Sequence, residues 1–424
     1  MSDTSTPDGL PGSQLCKASR ANLTDEERAR RKEAAMRAAG TWREETSRSD
    51  AEMRVLFPRY PAADGSDDDD VSAWRISYAP SDTAGIAAAL EVYGMVVVDV
   101  LTSDEADATA ADLLADASAQ ANPAKATAAL DFNDPTTWES RNWPKPKSKF
   151  LFGSPAFTQL AFAMRTHPAI YEVFRGLYGG EEKLWASIDN WGVMRGTRNL
   201  RMRNEETGEV EDGVERPQWR TSLGPHWDCN PHRIVEIDRA EGHAQRYQGL
   251  VALVDCPITT GTFACVPGSS AYLDTWVSEH FRDGKAGLAN RSVRPKASDP
   301  MAAYMQPIPL RKGQMVIWHF ELLHANVPNT SSNMRLIQFI RMMPAWDAEQ
   351  RAMSRSKDRH SPPKIWKRYP EIADHVRTTY SLSSLQLRLT GFLPWSDDDD
   401  DDDPPVEPST AAAADCCALN AETA

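Results

Sequence analysis

The residues of this chain best suited to chemistry are a histidine and a carboxylate two positions apart, His226 and Asp228, in the stretch Gly224-Pro-His-Trp-Asp-Cys-Asn230. Successive side chains of an extended segment point to opposite faces, so residues i and i+2 share one, and here an imidazole and a carboxylate can close on the same ion. They would supply two ligands of a set of two histidines and one carboxylate. Such a set fills one face of an octahedron and leaves positions for a chelating co-substrate and for oxygen, an arrangement suited to Fe(II). The spacing by itself is weak evidence. With nine His and 61 Asp plus Glu in 424 residues, chance supplies roughly one His-x-acid triplet. The chain holds a second, His319-Phe-Glu321.

The segment downstream changes the weight of the pair. Gly313-Gln-Met-Val-Ile-Trp-His-Phe-Glu-Leu-Leu-His324-Ala-Asn-Val-Pro-Asn-Thr-Ser-Ser-Asn-Met-Arg335 reads as a strand, an irregular loop and a second apolar strand that opens with arginine. A second histidine from one strand and a guanidinium from the next are what a bidentate 2-oxo acid requires. The metal takes the keto-acid end and the arginine forks onto the distant carboxylate. Arg335 shares parity with Ile337 and Phe339 and should face the interior, where a guanidinium is expensive unless an anion meets it. The alternatives are a place at the strand mouth, in water, or a pairing with a structural acid.

The elements that must position these residues can be read at low resolution. Apolar residues recur at helical spacing over 82–92, 103–121 and 155–178, and Val96, Val97, Val98 and Val100 suggest one buried strand among them. After about residue 184 the pattern becomes short apolar segments punctuated by Gly and Pro: Leu250 to Val254, Phe263 to Val266, Met315 to His319 and Leu336 to Ile340. Many short strands with turn signals predict an α+β protein with a mainly β core, a double-sheet jelly roll flanked by helices. Thr24 with Glu27 is a capping box opening a helix to about Gly40. Residues 1–20, the acid runs Asp67 to Asp70 and Asp397 to Asp403, and the alanine-rich tail should not fold. The expected organisation is an N-terminal extension over 1–70, a folded unit over 71–395 with its jelly roll at about 184–345, and an acidic tail over 396–424.

Composition excludes several function classes. A formal charge of −14 opposes binding to phosphate backbones, so nucleic acid is not an expected partner. The cluster Arg195, Arg198, Arg201 and Arg203 is followed at once by Glu205, Glu206, Glu209, Glu211 and Asp212, a solvated loop of mixed charge. Six cysteines without CxxC spacing give no disulfide framework or zinc knuckle. No apolar run is long enough for a bilayer and no signal peptide opens the chain, which makes the cytoplasm the expected compartment.

Residues 184–345 resemble the phytanoyl-CoA dioxygenase family of Fe(II)/2-oxoglutarate-dependent dioxygenases. The resemblance runs from Trp185-Ala-Ser-Ile-Asp-Asn-Trp191 through the His-x-Asp pair and Tyr247-Gln-Gly-Leu-Val-Ala-Leu-Val-Asp-Cys-Pro-Ile-Thr-Thr-Gly-Thr-Phe-Ala-Cys-Val-Pro-Gly-Ser-Ser270 to His324 and, ten residues further, Arg335. It implies a double-stranded β-helix with His226, Asp228 and His324 as iron ligands and Arg335 as the 2-oxoglutarate anchor. It also sets His319 aside as a strand residue satisfied by a neighbour. Asn326 matches a small polar position near the co-substrate, and Gln248 or His232 could contact it as well. Trp227, Trp191 and Trp318 are candidate walls for a small-molecule substrate. Ser270 departs from the family pattern, which usually has histidine there. The presence of Asp228 favours hydroxylation over halogenation. The implied reaction consumes oxygen and 2-oxoglutarate, with ascorbate as a supporting reductant. The competing readings are a jelly roll that binds a metal or anion for regulation, a hydrolytic zinc enzyme, and an adaptor working through its tails.

Overall fold

The computed structural model describes residues 48–66, 70, 72–122, 124–144, 146–148, 151–152, 157–204, 206–235, 246–280, 293–296, 298–345 and 362–395. The expected Thr24 capping box, the Asp397 to Asp403 run and most of the Asp67 to Asp70 run lie outside them. The chain divides into two compact units, Met1–Glu52 and Met53–Ala424. In the first, Ser49 and Glu52 close on each other through backbone and hydroxyl hydrogen bonds to the Glu52 carboxylate, each 2.8 Å. All that follows concerns the second.

Its strands are β1 (Met95–Asp99), β2 (Pro146–Ser148), β3 (Leu151–Phe152), β4 (Leu184–Ala186), β5 (Trp191–Met194), β6 (Leu200–Arg203), β7 (Val210–Val214), β8 (Tyr247–Ala252), β9 (Phe263–Cys265), β10 (Gln306–Ile308), β11 (Gln314–His319), β12 (His324–Asn326), β13 (Arg335–Ile340) and β14 (Met342–Pro344). A large antiparallel sheet runs β1-β11-β8-β13-β5-β3-β2, and a small one runs β10-β9-β12. Phe263 of the small sheet lies 4.7 Å, ring to ring, from Trp318 of the large one, and both belong to one apolar core. Two antiparallel sheets enclosing a shared core make the expected jelly roll, and among the described residues no closed barrel forms. The pairs β14-β4 and β6-β7 are separate two-stranded sheets.

The strand positions follow from burial. β1 carries Met-Val-Val-Val with no exposed residue before Asp99, because helices cover one face of the large sheet and the small sheet the other, and β-branched side chains pack well on a pleated surface. β1 pairs with β11 from Met95 opposite Trp318 to Asp99 opposite Gln314, so the site-bearing sheet draws on residues well before 184. β11, β8 and β13 form its centre.

Two expected helices are found nearly at their predicted limits. Helix α1 (Thr83–Tyr93) starts on the Asp82 side chain, which accepts from the Gly85 N–H, and stops at Gly94, whose φ of 70° is left-handed. Helix α2 (Ser103–Gln120) opens with a capping box of Thr102 and Glu105. The helix expected over 155–178 is instead two, α3 (Gln159–Arg165) and α4 (Pro168–Leu177). Pro168 has no N–H to continue the ladder and disfavours helical geometry in the residue before it. His167 becomes a cap, its Nδ1 accepting from the Ala169 N–H at 3.2 Å. The arginine cluster also differs from a loop: β6 and β7 form an exposed hairpin in which Arg198 faces Glu215 and Arg201 faces Asp212, both at 3.9 Å. Mixed charge solvates it as expected.

His319 ends β11 opposite Tyr247, its ring 5.0 Å from the tyrosine ring. Burial pushes its pKa down to about 4. An unfolded chain takes up that proton near the ordinary histidine value of about 6.5, so between those two values the unfolded state binds more protons than the native one. Stability is therefore intact above pH 6.5 and falls as the pH drops through 4. His319→Gln should remove up to about 3 kcal/mol of this acid-dependent loss, since every tenfold drop in proton affinity on folding is worth about 1.4 kcal/mol. Urea melts of both proteins at pH 7 and pH 4.5 measure it; equal pH dependence would contradict the account.

Candidate metal and oxo-acid site

The site begins with a backbone pairing. The His226 N–H donates to the His324 carbonyl at 3.0 Å, and the His324 N–H returns to the His226 carbonyl at 3.2 Å. The two residues form an antiparallel bridge, and such directly opposed residues put their side chains on the same face. β12 is held on its other edge by β9, with His324 opposite Cys265. His226 thus lies as one more rung beside the small sheet, although the segment around it is not a continuous strand. Asp228 follows in a bend, and its carboxylate swings back to both rings: Oδ1 is 3.5 Å from His226 Nε2, and Oδ2 is 3.6 Å from His324 Nε2.

The protonation pattern can be worked out. His226 Nδ1 is 2.8 Å from the Gly224 carbonyl and His324 Nδ1 is 3.0 Å from the Leu322 carbonyl. A carbonyl only accepts, so each Nδ1 carries a proton, and in the neutral form of such a ring the lone pair of Nε2 faces Asp228. Two imidazole lone pairs and a carboxylate, all acceptors and within 4.8 Å of one another, face one point. Only a cation satisfies all three, and the donor set fits a divalent metal. When the two Nε2 atoms carry protons instead, their hydrogen bonds to the carboxylate outweigh burial, which alone would raise the Asp228 pKa, and hold it well below its ordinary value. The imidazoles are buried, while the Asp228 side chain keeps 41% of its exposure; access is from the carboxylate side.

Arg335 opens β13 opposite Met194 and is 1% exposed. Its Nη1 donates to Asn326 Oδ1 at 3.1 Å and contacts the Met194 sulfur at 3.7 Å. Its Nε and Nη2 have no hydrogen-bond partner, and none of the described carboxylates pairs with it. Cys256 lies against the guanidinium, but burial holds that thiol neutral, with its pKa pushed up to about 11, and it provides no anion. Desolvation pushes the arginine's own pKa down, yet a guanidinium stays protonated in proteins. A buried fork with unused donors fits a carboxylate supplied from outside the chain.

The remaining expected site residues divide. Asn326 sits beside the arginine fork. Gln248 reaches the metal cluster rather than the arginine, donating from Nε2 to Asp228 Oδ2 at 3.3 Å. Trp318, directly opposite Gln248 in the β8–β11 register, lies 5.4 Å ring to ring from His324. The other two tryptophans fall outside the cavity. Trp227 points the opposite way from His226, packs tilted against Trp276 at 4.6 Å and donates Nε1 to the Glu321 carbonyl at 3.0 Å. Trp191 pairs with Gln338, on the face of the sheet opposite Met194 and Arg335. His232 lies 6.0 Å from the Trp276 ring, in the surroundings of that same second apolar cluster. In each case strand alternation or the turn after Asn230 carries the side chain away.

Sequence reasoning did not single out Met194, Cys256 and Asn329. Asn329 organises the β12–β13 loop: its Nδ2 donates to the carbonyls of Met194 and Asn333 at 3.1 and 2.7 Å, and its Oδ1 accepts from the Ser331 N–H at 2.9 Å. The run Pro-Asn-Thr-Ser-Ser-Asn carries a turn signal but does not reveal that one asparagine ties the loop to β5.

Residues 224–337 match the family model of phytanoyl-CoA dioxygenase (PhyH). A putative phytanoyl-CoA dioxygenase of Dictyostelium discoideum is 25% identical over 243 residues, 51% of this chain, and the chain spans 64% of that relative's length. Among solved structures, the epimerase SnoN, crystallised with Fe3+, alpha-ketoglutarate and nogalamycin RO, is 19% identical at a TM-score of 0.37, covering 63% of this chain and 85% of that one. GlcNAc Inducible Gene 2 of Candida albicans is 13% identical at a TM-score of 0.46, covering 76% and 81%.

An unmatched charge in an apolar interior lowers the stability of the ligand-free protein. Arg335→Met should therefore raise its unfolding free energy by about 1–3 kcal/mol, the range seen when buried ionic groups give way to apolar ones. Chemical denaturation without added 2-oxo acid is the measurement, and a loss of stability would mean that the guanidinium is already satisfied.

Proposed function

We propose that the chain is an Fe(II)- and 2-oxoglutarate-dependent oxygenase that hydroxylates an aliphatic C–H bond of a small-molecule or lipid-like substrate, releasing succinate and CO2. The observation that carries this reading is the nearness of two complementary ends, since Asn326, two residues after His324 on the same strand, accepts a hydrogen bond from Arg335. Three acceptors, His226 Nε2, His324 Nε2 and the Asp228 carboxylate, converge at one end, and a buried guanidinium with unused donors stands at the other. A chelating dicarboxylate on a divalent cation answers both.

In this reading His226, Asp228 and His324 hold the iron, and Arg335 with Asn326 orients the far carboxylate of 2-oxoglutarate. Iron and 2-oxoglutarate, when bound with oxygen, supply the oxidising chemistry. The protein's part is geometry and exclusion of water. Gly224 and Leu322 fix both rings through their carbonyls, which removes the rotational freedom that binding would otherwise have to freeze. Phe263 and Trp318 pack against His324 at 5.9 and 5.4 Å, shielding the imidazole. Asp228 keeps a carboxylate where a halide would otherwise coordinate, which supports hydroxylation over halogenation. Among the described residues no helix is long and apolar enough to cross a membrane; the free thiols Cys229, Cys256 and Cys265 support a reducing compartment, the cytoplasm.

Two outcomes test the reading. Succinate formation from 2-oxoglutarate, followed across a metabolite extract with Fe(II) and ascorbate, should be abolished by His226→Ala; an unchanged rate in that variant would assign the turnover to something else. Arg335→Ala should weaken 2-oxoglutarate by about 30-fold or more, since truncating one partner of a buried charge pair costs about 2–5 kcal/mol, while metal affinity changes less than about threefold. Anaerobic titrations with each ligand check this, and equal losses in both would defeat the role given to Arg335. A regulatory metal-binding protein would bind both ligands without forming succinate.

A further inference from the structure

Two neutral polar atoms on the cavity wall are left over once metal and oxo acid are accounted for. Gln248 and Trp318 are cross-strand partners at the ends of β8 and β11, and the reach of Gln248 to Asp228 shows that their shared face looks into the site. A carboxylate only accepts, so the amide nitrogen of Gln248 must be the atom turned to Asp228. That fixes Oε1 on the other side. Gln248 Oε1 and Trp318 Nε1 are both buried and have no hydrogen-bond partner, and Trp318 is 2% exposed. One is an acceptor and the other a donor, on side chains directly opposite each other.

We infer that this pair is a substrate subsite, one that selects a neutral group able both to donate and to accept a hydrogen bond, a carboxamide or a hydroxyl, next to the C–H bond to be oxidised. The inference rests on the oxygenase reading. The chemistry of the pair excludes the alternatives. A carboxylate has no proton for Gln248 Oε1 and would be brought close to Asp228. A plain alkyl chain would leave both atoms desolvated and unmet, at about 1–3 kcal/mol each. Gln248 has a second effect, because the amide that reads the substrate also holds the Asp228 carboxylate. Substrate placement and the orientation of the candidate ligand are thereby coupled through one side chain.

The test uses protein loaded with Zn(II) and 2-oxoglutarate, which cannot turn over, and three matched eight-carbon probes: octanamide, 1-octanol and octanoate. Binding is read by thermal shift across probe concentration, and 2-oxoglutarate affinity is measured in parallel. Octanamide and 1-octanol should bind wild type at least about tenfold more tightly than octanoate, since each satisfied buried group is worth about a factor of ten. Trp318→Phe, which removes only the N–H and part of the ring, and Gln248→Met should each collapse that ratio toward one, and Trp318→Phe should leave 2-oxoglutarate affinity within about threefold. A variant that weakens all three probes equally would show packing alone and overturn the subsite. So would octanoate binding as well as the amide, or an unchanged ratio in Trp318→Phe, as expected if a water bridges the two atoms. Failure of wild type to bind 2-oxoglutarate would instead sink the oxygenase reading.

Discussion

The structure depends on the reciprocal backbone hydrogen bonds between His226 and His324. They set two imidazoles side by side from segments far apart in sequence, and they do so with main-chain atoms, whose positions no side-chain rotamer can disturb. The constraint propagates outward. β12 is registered to β9 and β9 to β10, while Gly261, at a φ of 84°, lets the chain pass the Val327 carbonyl so closely that a Cβ would stand 2.7 Å away. A one-residue slip in this ladder would turn His324 out of the cavity and Ala325 into it. The rigidity of the small sheet is thus a condition for the convergence of three donors on one point.

Opposite this acceptor cluster stands a donor whose charge is unanswered. Burying Arg335 opposes folding, and it persists because the surrounding packing over-determines it: Met194 and Cys256 line it, Asn326 takes one of its protons, and Asn329 locks the loop that leads to it. Local rules of stability are violated here and obeyed elsewhere, which is the pattern expected where a protein's structure serves something other than its own folding. The apolar lining, including Leu250, Phe263, Val316 and Ile337, lowers the local dielectric. Each unmatched charge or lone pair is then more costly alone and more strongly complemented by a ligand.

Much of this was legible in the residues. The His226–Asp228 spacing brought an imidazole and a carboxylate together, although Asp228 sits in a bend and not on a strand, and parity with Ile337 and Phe339 sent Arg335 inward. The apolar runs gave β1, β8, β11 and β13 to within a few residues, because fully buried strands have continuous apolar sequences. What stayed hidden depends on partners distant in sequence. Trp191 and Trp227 were expected at the cavity, but the face a tryptophan takes is decided by the register of its own segment, which composition does not reveal. Trp227, in its own bridge with Val293, points to the other side from His226. The helix over 155–178 was over-extended because apolar periodicity continues through Pro168 while the backbone hydrogen bonding cannot. The roles of Asn329 and Cys256 require knowing which strands meet.

The polar groups of the cavity fall into an order that composition could not suggest. The most charged donor, Arg335, lies deepest; the anionic Asp228 is the most exposed; the neutral Gln248 touches that carboxylate, and Trp318 faces the glutamine from the next strand. Under the proposed oxygenase function, such an order separates two recognition tasks. A dianionic co-substrate needs full charge at the buried end, where low dielectric makes a single guanidinium sufficient. A substrate entering past Asp228 meets a carboxylate, and a second full charge there would compete with the histidines for it. A neutral amide can donate to Asp228 without displacing either imidazole and still leave a carbonyl free. The choice of glutamine rather than lysine or arginine at this position is therefore what allows Asp228 to serve the metal cluster and the cavity wall at once.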